Sequence, residues 1–369
     1  MQTGDGLLAR VRLVESRISP HQLTELARLA HRHGNGLVEI TARGNLQIRG
    51  LTSASATPFA TAVADLLPIT TGLAVETSPL SGDDPHEIAD ARSVSLAIRK
   101  AAQTLEHRLG PKVSVVVDGG GQISLAALKA DIRLLALSPD RWSVTLGSSK
   151  PQIMDSHAAI SATLALLGAL AAHGSTARAF DLFPPVARSS ARPPASLEQL
   201  EHSFQIFSGH STPVALPFGA ADGAALIAFA ETATRAGVTT LRLAPNHTLL
   251  VDNASSDLIA AAASFGFITS PDDPRRRISA CIGSRGCASG HIPARDLAAR
   301  LVSHVPADQH LHVSGCSKGC AHSQSADLVL VGRSAGIGLV ISGRAGDTPE
   351  RIVDEAGIPA ALAAAQEPR

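Results

Sequence analysis

Four cysteines, Cys281, Cys287, Cys316 and Cys320, fall within 40 residues of a 369-residue chain, and none occurs elsewhere. They stand as Cys281-Ile-Gly-Ser-Arg-Gly-Cys287 and Cys316-Ser-Lys-Gly-Cys320. Four thiolates are what a [4Fe-4S] cluster needs. The Gly and Ser residues around them let backbone N–H groups approach and donate to the cluster sulfurs, which tunes the potential. A structural zinc site also takes four cysteines, but its pairs usually stand about two to four residues apart; the gap between Cys281 and Cys287 fits that poorly. Disulfides require an oxidising compartment, and four unrelated buried cysteines would not cluster so tightly. The spacing predicts a redox iron–sulfur enzyme.

A second stretch with chemistry is Thr41-Ala-Arg-Gly-Asn-Leu-Gln-Ile-Arg49. Successive strand residues point to opposite faces, so a strand here puts Thr41, Arg43, Asn45, Gln47 and Arg49 together. Arg10 and Arg12 share a face of the neighbouring strand. Four guanidiniums with amides between them suit a ligand carrying several carboxylates, because Arg binds each one bidentately. An ordinary solvated face has the same pattern, so taken alone this one does not decide. His291, His310, His312 and His322 flank the cysteine loops and read as structural residues. Gly119-Gly120-Gly121 lacks the Lys-Ser/Thr of a P-loop and the spacing of a dinucleotide fingerprint. It predicts a tight turn, so NADH, if it is the ultimate donor, acts through a separate reductase.

These residues must be positioned by the elements around them. Ser19-Pro20 opens a helix, along which Leu23, Leu26, Ala27 and Ala30 form one apolar face before Gly34 stops it. At an offset of 203 residues, Leu226, Phe229, Ala230 and Ala233 repeat the spacing and Gly237 stops the helix. Strands flank each copy, at 7–14 and 37–49 in the first and at 213–217 and 240–251 in the second. The chain is therefore a duplication of β-α-β halves, each too small to stand alone and suited to pair with the other. Each half leads into a further α/β stretch. After the first come a helix near 88–107 and strands at 113–117, 132–137 and 142–146. After the second, a strand at 277–280 runs into the first cysteine pair. A helix at 293–303 and a strand at 310–314 precede the second pair, and 327–332 with 338–342 close as a hairpin. The Pro/Ser/Arg-rich run 184–196 reads as a linker.

Composition narrows the class. Hydrophobic residues are 44% and charged ones 17%, which indicates an ordered globular chain. Lys plus Arg equals Asp plus Glu at 32 each, so no global positive field gathers nucleic acid or an anionic membrane. The first six residues lack the basic and apolar regions of a secretory signal. No uninterrupted apolar run approaches the roughly 20 residues of a bilayer span, and the alanine-rich stretch 160–172 reads as a buried helix. The expected compartment is the cytoplasm.

Together these features resemble the nitrite/sulfite reductase superfamily and, within it, the precorrin-3B synthase family of aerobic cobalamin biosynthesis. The phrases that carry the resemblance are Thr3-Gly-Asp-Gly-Leu-Leu-Ala-Arg10, Arg43-Gly-Asn-Leu-Gln-Ile-Arg-Gly50 and Val313-Ser-Gly-Cys-Ser-Lys-Gly-Cys-Ala-His322. The resemblance implies an α/β (α+β) fold in which duplicated ferredoxin-like halves, 1–77 and 205–270, alternate with two α/β domains. Those are 78–183 and the cluster-binding 271–369, with a linker at 184–204. It implies a monooxygenase that uses O2 and reducing equivalents to hydroxylate precorrin-3A at C20, with γ-lactone closure by a ring-A acetate. It implies a mononuclear non-haem iron beside the [4Fe-4S] cluster. The expected electron donor is NADH through a separate reductase or a ferredoxin-like protein. Arg10, Arg12, Thr41, Arg43, Asn45, Gln47 and Arg49 would hold the macrocycle, and Lys318 would offset cluster charge. The alternative is a sirohaem-dependent nitrite or sulfite reductase. The sequence departs from the family where a Pro-Trp-Arg phrase is usual: Pro245 is followed by Asn246 and His247. Family members also commonly carry a short leader before Thr3-Gly-Asp-Gly, preceded here by Met1 and Gln2.

Overall fold

Ser19 opens the first long helix through a capping box: its hydroxyl accepts from the Gln22 backbone N–H, and the Gln22 side chain accepts from the Ser19 N–H. The computed structural model describes residues 1–184 and 211–365; all but the first residue of the expected linker lies outside them. The first half comprises β1 (Gln2–Thr3), β2 (Gly6–Val11), β3 (Arg17–Ile18), α1 (Pro20–His33), β4 (Leu37–Ile40), β5 (Leu46–Leu51) and α2 (Ser53–Leu66). A second unit follows with β6 (Ala74–Glu76), α3 (Ala91–Ala102), β7 (Ser114–Asp118), β8 (Ile132–Ser138), β9 (Arg141–Leu146), β10 (Gln152–Asp155), α4 (Ser156–His173) and a short α5 (Ala179–Leu182). The second half is β11 (Ser211–Ala215), β12 (Ala220–Asp222), α6 (Gly223–Arg235), β13 (Leu241–Ala244), β14 (Thr248–Asp252) and α7 (Ser256–Ser264). The last unit holds β15 (Ile278–Ala280), α8 (Ala294–Arg300), β16 (Leu311–Ser314), β17 (Ala326–Arg333), β18 (Gly336–Gly343), β19 (Arg351–Val353) and α9 (Ile358–Ala365).

The duplication is visible in the hydrogen bonding. The two halves form sheets ordered β1-β2-β5-β4-β12 and β11-β14-β13-β3, so each lends its short strand to the other's edge. Ile18 pairs with Leu241, and Ala221 with Val38. Glu15 (φ 53°) and Phe218 (φ 52°), which occupy equivalent positions, share the same unusual backbone. The apolar faces of α1 and α6 meet in one core, where Leu26, Ala27, Ala30, Phe229, Ala230 and Ala233 are fully buried. Neither helix could hide that stripe inside its own half. The second helices, α2 and α7, have no counterpart among the elements predicted from the sequence.

The strand predicted over 37–49 is two strands and a turn. Thr41 N–H donates to Asn45 O at 2.8 Å and Gly44 N–H to Thr41 O at 2.9 Å, with Gly44 at φ +76°. The Thr41 hydroxyl accepts from the backbone of Arg43 and Asn45, which favours the turn over an extended run. Thr41, Arg43 and Asn45 therefore do not share a strand face with Gln47 and Arg49. The polar alternation continues through the turn by coincidence, which is why it reads as one strand.

The other two sheets have the orders β10-β9-β8-β7-β6 and β15-β16-β17-β18-β19. Helix α4, with 18 residues, is long and apolar enough to cross a membrane by length and composition. Its Ala159, Leu166, Leu167 and Leu170 nonetheless pack into the core of the second sheet. The glycine loop after β7 is a tight turn in which the Asp118 carboxylate accepts from Gly120 N–H. Cβ atoms at Gly119 and Gly121 would stand 2.4 Å from Glu87 Oε1 and 2.3 Å from Asp84 Oδ2. Those acidic neighbours would repel a phosphate.

Candidate active site

Cys281 follows directly on β15, and Cys316 comes two residues after β16. These strands are parallel neighbours, so both cysteine loops leave the same end of the sheet, the carboxyl end where open α/β sheets place their ligands. Helix α8 is the crossover that makes the parallel pairing possible. The loops touch through backbone: His291 N–H donates to Gly315 O at 2.8 Å, and Gly315 N–H donates to Cys281 Sγ at 3.2 Å. A Cβ at Gly315 would lie 2.6 Å from Gly283 Cα; only glycine lets the two loops approach this closely. Burial pushes the Cys320 thiol pKa up; Cys281, Cys316 and Cys287 push it further, while Lys318 opposes them. The four sulfurs thus share one electrostatic neighbourhood.

Among the described residues, no three His, Cys, Asp or Glu side chains converge closely enough to hold a single metal ion. An all-thiolate set on loops pressed together, with a backbone N–H already aimed at one sulfur, is consistent with an iron–sulfur cluster.

The N-terminal phrase braces the first cysteine loop. Asp5 takes a two-pronged contact from Arg49 at 3.1 Å to each oxygen, and the same guanidinium reaches Gly286 O. Gly4 N–H donates to Gly286 O at 3.2 Å, and a Cβ on Gly4 would stand 2.5 Å from Ala288 N. Arg49 is 6% exposed. Its charge is spent on Asp5, so it positions the loop of Cys287.

A cleft of about 810 Å³ opens beside the four cysteines, walled by both halves and the cysteine loops. Of the residues expected to meet a substrate, Arg10, Thr41, Gln47, Arg49 and Lys318 line it. Arg12, Arg43 and Asn45 do not. Arg12 donates to Gly72 O, and burial lowers its pKa while Glu76 and Glu106 oppose the shift. Arg43 turns to Glu76 at 2.7 Å, and Asn45 belongs to the turn. The outward alternation of β5 aims Gln47 at the cleft, whereas the turn aims Arg43 at the second sheet.

Sequence reading missed Glu39, Arg295 and His247. Glu39 is 4% exposed at the cleft floor, where Arg295 of α8 meets it at 2.6 Å and the Gln47 amide donates to it. A carboxylate in the otherwise apolar Leu37–Ile40 strand was the available signal. For His247 the signal was the departure at Pro245-Asn246-His247, which gave no role for the ring; Arg295 had none, since only the fold brings it to the cleft. On the cysteine side, the rings of His310 and His322 stand 4.5 Å apart edge to face, with His312 next to them. Burial first, and His322 second, hold His310 and His312 near a pKa of about 3, so both are neutral.

Residues 1–66 match the nitrite/sulfite reductase ferredoxin-like half domain. The solved structure of the Mycobacterium tuberculosis NirA protein has the same fold, with a TM-score of 0.70 and 18% identity over 96% of this chain and 79% of that one. Fold and site together define an α/β oxidoreductase of nitrite/sulfite reductase type. A precorrin-3B synthase from Sinorhizobium sp. is 38% identical over 391 aligned residues, which span 98% of this chain and 85% of the relative. The chain belongs to the precorrin-3B synthase family.

Proposed function

We propose that the chain hydroxylates precorrin-3A at C20 in the cytoplasm, consuming O2, two electrons and two protons and releasing water, with closure of the γ-lactone. The observation that carries this reading is the guanidinium-walled cleft lying against the two cysteine loops. A macrocycle with many carboxylates needs both volume and cations, and a monooxygenase step needs electrons delivered beside it. When bound, a [4Fe-4S] cluster on Cys281, Cys287, Cys316 and Cys320 supplies those electrons one at a time. Arg10 and Lys318 bind carboxylates at the rim, and Thr41 and Gln47 hold the macrocycle between them. Arg49 keeps the loop of Cys287 against the cleft, and Lys318 offsets negative charge near the thiolates. Glu39 keeps Arg295 and Gln47 extended toward the substrate. The electron donor is NADH through a separate reductase, or a ferredoxin-like protein.

The alternative of a sirohaem-dependent reductase rests on the shared fold, whereas family membership favours the synthase. The test is aerobic incubation of cluster-loaded protein with precorrin-3A, a reductant and isotopically labelled O2. A product one oxygen atom heavier that retains the label supports the reading. Unchanged precorrin-3A, or strong long-wavelength haem bands in the purified protein, overturns it.

A further inference from the structure

His247 sits in the hairpin turn between β13 and β14. Asn246 and His247 have φ of 57° and 64°, the paired left-handed conformation of a tight hairpin turn. That backbone places the His247 ring against Gly219, where a Cβ would lie 2.5 Å from Nδ1. Nδ1 is 2.6 Å from Ile40 O. A carbonyl oxygen only accepts, so Nδ1 carries the hydrogen and Nε2 keeps its lone pair. His247 lines the cleft, and Nε2 has no hydrogen-bond partner on the chain among the described residues.

We propose that His247 is a positioning residue whose Nε2 accepts a hydrogen bond from a pyrrolic N–H of a metal-free tetrapyrrole. This inference rests on the reading above that the cleft holds precorrin-3A. Of the neutral acceptors that also line the cleft, the Thr41 hydroxyl already accepts from the Arg43 and Asn45 N–H groups and the Gln47 carbonyl from Arg10. Arg10, Arg295 and Lys318 are donors, suited to the carboxylates at the edge of the macrocycle, and none can accept from its N–H groups. Glu39 can accept, but Arg295 and Gln47 already occupy its oxygens. The ring is uncharged: burial pushes its pKa below the ordinary histidine value, with the Ile40 hydrogen bond opposing. An iron-bound macrocycle has its four nitrogens on the metal and offers no N–H. The residue therefore selects for metal-free rings. A metal ion is the poorer partner for Nε2, because no further His, Cys, Asp or Glu completes a site among the described residues and the Arg295 cation lies close enough to lower the ring's pKa.

His247→Asn tests this without straining the turn, since Asn tolerates left-handed backbone and its amide can still donate to Ile40 O while leaving the position of Nε2 empty. His247→Gln restores an acceptor near that position. With anaerobic, cluster-loaded protein and precorrin-3A as the probe, the Asn variant is expected to bind about tenfold more weakly, with Gln recovering part of the loss. In the wild type, the ¹⁵N resonance of the unprotonated Nε2 should move as precorrin-3A binds; this readout needs no variant. Binding by the Asn variant within twofold of wild type, with an unmoved resonance, overturns the inference. Failure of the wild type to bind or convert precorrin-3A overturns the underlying reading instead. Tighter wild-type binding of a metal-loaded tetrapyrrole, lost in the Asn variant, would make His247 a metal ligand and also overturns the inference.

Discussion

Arg28 and Glu231 stand 203 positions apart, the offset of the duplication, and the guanidinium of one meets the carboxylate of the other at 3.3 Å. Equivalent positions of α1 and α6 thus face each other, as in a chain folded about an internal two-fold axis. Both groups are about half exposed, so the pair contributes little; the alanines beneath it fix the approach.

A thermal melt should separate those two contributions. Arg28→Ala is expected to cost under about 1 kcal/mol. Ala230→Leu forces the helices apart and should cost about 1–3 kcal/mol. Equal shifts in melting temperature would contradict this account of the interface.

Assembly of the proposed cluster should depend on the loops as well as the ligands. Replacing Cys281 or Cys316 with Ser should abolish the broad charge-transfer absorption and conversion of precorrin-3A. Gly315→Ala removes no ligand, yet its Cβ would meet Gly283 Cα at 2.6 Å. It should therefore reduce iron content per chain substantially, as read by metal analysis after reconstitution.

The cleft arginines divide by partner. Arg10 lines the cleft, and Arg10→Ala should raise KM for precorrin-3A about tenfold. Arg43 is paired with Glu76, and Arg43→Ala should leave KM within about twofold. Arg49→Ala takes the cation from Asp5, leaving that carboxylate the Thr3 hydroxyl and the Asn35 amide, and should cost about 3 kcal/mol of stability. Steady-state kinetics and melts on the three variants check the ordering.

Acid should weaken the cysteine-bearing unit. His310 and His312 titrate near a pKa of about 3 when folded, against about 6.5 unfolded. Their contribution is fully present above about 6.5 and is lost as pH falls below it, because the unfolded chain takes up protons that the buried rings do not. Each ring contributes a slope of up to about 1.4 kcal/mol per pH unit. Among the described residues neither buried His312 nitrogen has a partner, so His312→Phe should be near neutral at pH 7 and should flatten the fall in melting temperature between pH 7 and 5.

The sequence alone determined the cysteine set, the duplication and the helices whose apolar faces repeat, because these are local spacings that need no knowledge of what lies opposite. Ser19, Pro20 and Gly34 bound α1 from within their own segment. The role of each arginine was not legible in this way. Arg10, Arg12, Arg43 and Arg49 look alike as an alternating basic pattern, yet one lines the cleft beside Gln47, two turn to the second sheet and one braces a cysteine loop. That division depends on the turn at Gly44 and on where Asp5 and Glu76 arrive from distant segments. His247 and Arg295 reach the cleft only because the second half and α8 close over β4. Pairings of this kind are set by packing between remote elements, and no window of the chain contains them.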